Sequence, residues 1–408
     1  MKKHQTTKKT MTTHNFDEII VRSGTGCVKW DEAPASDIIP LWVADMDFAV
    51  AAPILKAIQL RAQHPVFGYT HVQQEYYDAV TQWFSRRHHW NIQREEIMYT
   101  TGVVSAMSVA LKAFTMPGEK VLILSPDYNC FFSSIRNNGC EVLETALVRV
   151  DTEKGHPTFQ VDWNDFDQKC SDDKCTVFLL CNPHNPTGRV WNAEELSRMN
   201  DICLRHGIKV VSDEIHCELI MPGHKFQPFA AVSQECRNNC VVLNSPSKSF
   251  NIAGLQTANI VCTVPEWRRR IDRAININEV CDLNSFGPPA LIAAYNESEY
   301  WIDQLNPYLW QNYQAVCQFF AKEIPQLVVC DLEGTYLLWV DVSALLGGDG
   351  GFGNVEKLCN HLQNEGRVWV NPGTMYGPAT GRNYIRLNIA CPRQILMEAL
   401  RRMKSAIG

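Results

Sequence analysis

The stretch Ser245-Pro-Ser-Lys248-Ser-Phe-Asn-Ile-Ala-Gly254 sets a lysine in a short polar turn just after the apolar run Val241-Val242-Leu243. The run reads as a buried strand, and Asn244-Ser-Pro-Ser carries turn chemistry. A lysine at the end of a core strand needs a partner, because an unpaired buried ammonium is expensive. That partner is either a carboxylate or a carbonyl group that condenses with the amine. Read alone, the same lysine is an ordinary solvated surface residue.

The segments upstream supply what the lysine lacks. Lys209-Val-Val-Ser-Asp213-Glu214-Ile-His216 is a short apolar strand ending in acids. Asp213 falls where open α/β sheets deliver side chains to a ligand crevice. Thr176-Val-Phe-Leu-Leu-Cys181 is a second strand, running into Asn182-Pro-His-Asn185-Pro-Thr-Gly188. Tyr99-Thr-Thr-Gly102-Val103-Val104-Ser105 leads into the helical stretch Ala106–Phe114, so free backbone N–H groups are expected at a helix start, where an anion binds. Each piece has a plainer reading: Asp213 as a helix cap, the Asn-Pro string as a double turn, Gly102 as an ordinary strand-to-helix turn. Together, and in this order, they meet the needs of pyridoxal phosphate. Its phosphate takes the helix start, its ring oxygen a donor from Asn185, its ring nitrogen the Asp213 carboxylate that keeps it protonated, and its carbonyl Lys248.

More of the chain carries a family resemblance. Lys29-Trp-Asp31, Leu41-Trp-Val-Ala-Asp-Met-Asp-Phe48, Phe67-Gly-Tyr-Thr70, Cys181-Asn-Pro-His-Asn-Pro-Thr-Gly-Arg-Val-Trp191, Ser212-Asp-Glu-Ile-His216 and Arg386-Leu-Asn-Ile-Ala-Cys-Pro-Arg393 run from near Phe16 to the C-terminus. On these strings the chain resembles the fold-type I pyridoxal phosphate enzymes. Within the class I/II aminotransferase superfamily it resembles the MalY/PatB-like cystathionine β-lyases. The resemblance implies an α/β fold like that of aspartate aminotransferase, with a mostly parallel seven-stranded sheet, helices on both faces and a smaller α+β domain. It implies a homodimer with shared sites, in which Tyr69 reaches the neighbouring subunit's phosphate. Lys248, Tyr128 and Asp213 are implied as catalytic. Gly102, Val103, Val104, Tyr128, Asn185, Asp213, His216, Ser245, Ser247 and Tyr69 would hold the cofactor with Lys248. Arg386, Asn185 and Ala44 would hold the substrate, with Arg386 clamping its carboxylate; without the resemblance, a strand arginine is more often half of an ion pair. No metal is implied.

Two positions depart from the general aminotransferase pattern. Gln256 stands eight residues after Lys248, where many aminotransferases have a phosphate-binding arginine. His216 stands three residues after Asp213, where a tyrosine is frequent. The expected activity is β-elimination of cystathionine or a related L-cysteine S-conjugate to a thiol, pyruvate and ammonia. Transamination on the same scaffold and a regulatory protein acting by binding a partner are the alternatives.

Composition sets bounds. At 408 residues and 45% apolar content, the chain can bury a large core and is expected to split into two domains. A net charge of −6 gives no basic footprint for nucleic acid. Sixteen cysteines are scattered, several within apolar strands, without the paired spacing of a zinc site. They read as reduced thiols in a cytoplasmic protein. Residues 1–15 are basic and polar with no apolar core behind them, so a disordered tail is expected rather than a secretory signal, with Met11 as an alternative start. No run approaches a membrane span.

The expected organisation is a segment 16–49 packing with the small domain, a cofactor-binding domain over 50–285 and a small domain over 286–408. Short apolar strands alternating with amphipathic helices, such as Glu194–His206, are expected over 50–285, and Ser285-Phe-Gly-Pro-Pro289 begins the bridge. A long helix over Tyr308–Lys322, paired strands at Gly334–Asp341 and Tyr384–Ala390, and a flexible glycine loop at 347–353 are expected beyond it.

Overall fold

The computed structural model describes residues 13–153, 155–348 and 350–408. Seven strands form the central sheet: β1 Ile97–Thr100, β2 Lys120–Ser125, β3 Glu141–Ala146, β4 Cys175–Cys181, β5 Lys209–Asp213, β6 Cys240–Asn244 and β7 Ala258–Val261, in the spatial order β1-β7-β6-β5-β4-β2-β3. All neighbours from β6 to β3 run parallel, and β7 is antiparallel to both β1 and β6. The central strands are buried along almost their whole length, which is why their sequences are continuous apolar runs rather than alternating ones. Helices cover both faces. Val103–Phe114 turns a buried apolar stripe to the sheet, and Ala193–Arg205 opens with a capping box between Asn192 and Glu195.

A second sheet is antiparallel and contains β8 Val328–Val329, β9 Leu337–Asp341, β10 Asn371–Pro372 and β11 Tyr384–Asn388, in the order β8-β9-β11-β10. Trp339 lies opposite Arg386 in its register. The segment before the first large-sheet strand is stitched to this sheet. Ile39–Pro40 pairs with Val368–Trp369, the Asn388 N–H donates to the Leu41 carbonyl, and the Asp47 N–H donates to that of Ala390.

The strings that carried the resemblance lock together here. Lys29 Nζ donates to Asp47 Oδ2 at 2.7 Å, Trp30 Nε1 to Asp47 Oδ1 at 2.9 Å, and Arg22 to both Asp45 and Asp47. Asp31 accepts the N–H groups of Gly24, Gly26 and Cys27. Lys29 and Trp30 are thus joined to Asp45 and Asp47 in one network, and its output is the fixed backbone of residues 42–46, while Asp31 ties an exposed turn beside it.

Several boundaries move. The long helix spans Glu299–Glu323 and carries Pro307 within it. Ser285–Pro289 does not lead straight to the small sheet: Gly287–Glu297 is a helix packed on helices Ala52–Gln63 and Gln74–His88, so the crossing is made by Glu299–Glu323. Of the expected tail, residues 1–12 (and Met11 with them) lie outside the described residues. His14 is docked, its N–H on Gln304 and its ring 4.5 Å from that of Phe16. The glycine cluster is an exposed turn, with Gly348 and Gly350 in the left-handed region that glycine permits. All sixteen cysteines are free. Among the described residues no helix is long and apolar enough to cross a membrane.

Candidate active site

At the carboxyl edge of the parallel strands lies a cavity of about 300 Å³, where open α/β sheets place their ligands. Strand β6 ends at Asn244, and Pro246–Ser249 makes a single helical turn that carries Lys248 into the cavity. Lys248 is half-buried, and its Nζ donates to the Ala44 carbonyl at 2.6 Å. Burial lowers its pKa to about 8; Arg386 pushes the same way, and Asp45 and Asp213 pull against it. Tyr336 Oη donates to the same carbonyl at 2.8 Å. The network around Lys29 and Asp47 therefore presents one carbonyl oxygen that holds the lysine in place.

Asp213 closes β5 and faces the cavity. Burial raises its carboxyl to about 7, against the Ile215 N–H that donates to Oδ1 at 3.1 Å and against the Lys248 charge. Such a carboxyl awaits a cationic partner, and its ionisation becomes favourable once one arrives. His216 also lines the cavity. Burial, with Lys248 and Arg386 nearby, holds it down to about 3, so the imidazole is neutral, and its buried Nδ1 has no hydrogen-bond partner among the described residues.

One end of the cavity is built by the start of the helix Val103–Phe114. Its first turn carries N–H groups with no acceptor inside the helix, and Gly102 to Ser105 line the cavity there together with Thr101, Ser247 and Gln256. An added Cβ at Gly102 would meet nothing within 4 Å, so this entrance is open. A helix start at one end, a buried acid in the middle and a poised amine fit pyridoxal phosphate.

At the other end Arg386 is 4% exposed on β11. It is one bond behind the cavity wall rather than in it. Its NH1 donates to Asn185 Oδ1 at 3.2 Å and its NH2 to the Trp42 carbonyl at 2.8 Å. It lies 4.6 Å from the Tyr376 ring centroid, and its Nε is buried without a partner. Asn185 lines the cavity with its oxygen committed to Arg386, which leaves its amide hydrogens for a ligand. Tyr128 lines it too, and burial pushes its phenol well up, so it keeps its proton at neutral pH.

The cavity thus gathers Lys248, Asp213, Gly102, Val103, Val104, Tyr128, Asn185, His216, Ser247 and Ala44. Three expected residues are not on the cavity wall: Arg386, behind it as described, and Ser245 and Tyr69. Ser245 Oγ donates to the Thr257 carbonyl at 2.6 Å and accepts the Ser247 N–H, so this hydroxyl caps the lysine turn and is not on the cavity wall. Tyr69 is 97% exposed in a separate surface hollow beside Asp282–Phe286, away from the cavity of its own chain. Thr101, Ser105, Cys181, Ile215, Ala253 and Thr257 also line the cavity, while Trp42 acts through its backbone carbonyl and Tyr336 through the hydroxyl that donates to the Ala44 carbonyl. A close approach near Gly334 marks the strand that brings Tyr336: a Cβ there would sit 2.8 Å from Val190 Cγ2.

Residues 36–403 match the aminotransferase class I and II family, and the chain belongs to it. It is 38% identical to cystathionine beta-lyase PatB of Bacillus subtilis over 97% of this chain and 100% of that protein. With protein MalY of Escherichia coli it shares 32% identity over 96% of this chain and 98% of that one. Cystalysin from Treponema denticola, a structure containing pyridoxal 5'-phosphate, superposes with a TM-score of 0.91 at 30% identity, covering 97% of this chain and 99% of that one.

Proposed function

We propose that this chain is a pyridoxal 5'-phosphate-dependent carbon–sulfur lyase that converts cystathionine or a related L-cysteine S-conjugate, with water, into a thiol, pyruvate and ammonia. The observation that carries this reading is the amine of Lys248, lowered to about 8 and held 2.6 Å from the Ala44 carbonyl in a cavity shared with Asp213 and Asn185. Near-full-length kinship with proteins named cystathionine beta-lyase favours elimination over transamination.

When bound, the cofactor supplies an electron sink for the charge left at the substrate α-carbon. Lys248 would anchor it, and its neutral amine would take the α-proton of the substrate. A pKa near the working pH suits that exchange. Asp213 holds a proton on the ring nitrogen, and the amide of Asn185 and the neutral His216 are the donors for the ring oxygen. The first turn of Val103–Phe114, with Ser247, holds the phosphate. Arg386, oriented by Asn185 and the Trp42 carbonyl, receives the substrate carboxylate. Tyr128, which keeps its proton, is the donor assigned to the departing sulfur.

Tyr69 completes the site of a second copy, so the working unit is a homodimer. Its near-total exposure beside Phe67, itself 55% exposed, supports this assignment. Sixteen free cysteines support a reducing cytoplasm as its location. The deciding experiment is pyruvate release from L-cystathionine with no keto acid present. An aminotransferase would release none.

A further inference from the structure

The turn after Asp213 has two sides. His216 faces the cavity described above, whereas Cys217 and Glu218 face a second, larger one of about 540 Å³. This second cavity is walled by the end of helix Gln74–His88, by the loop around His224 and by Asn306. No residue lines both cavities.

Three ligand atoms of different kinds meet there. His88 nitrogen, Cys217 Sγ and a Glu218 carboxylate oxygen all lie within 4.8 Å of one another. His88 Nε2 stands 2.6 Å from Glu218 Oε1, and Cys217 Sγ stands 3.8 Å from the same oxygen. Tetrahedral zinc, with bonds of about 2.0–2.3 Å to N, O and S ligands, needs donor atoms roughly 3.3–3.7 Å apart. The imidazole–carboxylate pair must open by about 0.7 Å and the thiol–carboxylate pair must close slightly, while the imidazole–thiol pair lies within the same 4.8 Å, movements within the reach of side-chain rotation. Cys217 and Glu218 are 3% and 4% exposed, so the ligands are held on the protein side. Trp83 Nε1 donates to Glu218 Oε1 at 2.7 Å, and Asn306 Nδ2 to the Glu218 carbonyl at 2.8 Å, which fixes the carboxylate and its backbone. Arg87 Nε, 3.4 Å from Glu218 Oε2, opposes a cation. A thiolate and a carboxylate bring two negative charges against it. The fourth position faces the cavity, which His224 also lines.

We propose that His88, Cys217 and Glu218 form a transition-metal site of the zinc class, with water or His224 as fourth ligand. Thiolate and imidazole in one set select zinc-like ions over magnesium or calcium. Cysteine spacing could not reveal the site, because His88 and Glu218 are 130 positions apart.

The test is zinc titration of the cofactor-loaded protein against a chelating indicator, with cobalt(II) as a spectroscopic substitute. Wild type should take one zinc per chain and show a thiolate-to-cobalt band. Cys217→Ser should lose that band, and Cys217→Ser and His88→Gln should each weaken zinc at least about 10- to 100-fold, the range seen for residues that merely support a ligand. The absorption of the bound cofactor and the melting temperature confirm the fold of each variant. Should Cys217→Ser fail to fold, His88→Gln at the cavity edge decides the matter by itself. No stoichiometric zinc at micromolar concentration overturns the proposal, as does equal affinity in the folded variants or zinc lost in Lys248→Ala but kept in these two.

Discussion

Replacing Arg386 by lysine keeps the positive charge and removes the fork. The guanidinium has five N–H hydrogens; one goes to Asn185 Oδ1 and one to the Trp42 carbonyl, which leaves three, including that on the unpartnered Nε. A lysine ammonium has three hydrogens. If it keeps those two contacts, one remains for the substrate carboxylate, so a two-point clamp becomes a one-point contact. The variant forfeits one charge-assisted hydrogen bond of about 1.5–3 kcal/mol, which lowers kcat/KM by about 10- to 150-fold. The assay is lactate dehydrogenase-coupled pyruvate release from L-cystathionine. The bound-cofactor absorption should be unchanged, because Arg386 is outside the cofactor's end of the cavity. A fall of less than threefold, or loss of the cofactor band, would refute the placement of the carboxylate at Arg386.

Asp213→Asn should leave the cofactor bound but cut kcat by about 100-fold or more, since losing one member of a buried charge pair costs about 3–5 kcal/mol; single-turnover rates with the band intact check this. Cofactor capture by the apo-protein requires the neutral Lys248 amine. Its lowered pKa means the capture rate should rise with pH up to about 8 and then level off; a rise continuing toward pH 10 would mark an ordinary lysine. In the N-terminal network, Asp47→Ala removes the main partner of the fully buried Lys29 and should destabilise the fold by about 3 kcal/mol, read from urea midpoints, with Lys29→Met/Asp47→Leu recovering part of the loss.

The parallel sheet was legible because its central strands are buried on both faces and leave unbroken apolar runs. That Lys248, Asp213, Asn185 and Gly102 share one cavity was legible because each follows or closes a strand, and the order of strands along the chain is visible. The exit to the small sheet was not: Pro288 and Pro289 sit in the first turn of a helix, where proline is tolerated, so the same letters that suggest a bridge open Gly287–Glu297. Pro307 did not break its helix either. Ser245 was misplaced for a related reason. A serine two residues before a helical N–H is a natural cap, and the local turn claimed the hydroxyl. The roles of Trp42 and Ala44 run through backbone carbonyls, which no side-chain pattern records.

The most direct test of the central claim compares wild type with Lys248→Ala, both supplied with pyridoxal phosphate, for visible absorption and for pyruvate from L-cystathionine without keto acid. The account predicts a lysine-dependent cofactor band with steady pyruvate release in wild type, and neither in the variant. Full turnover by Lys248→Ala, or a wild type that binds the cofactor and releases no pyruvate, would contradict it.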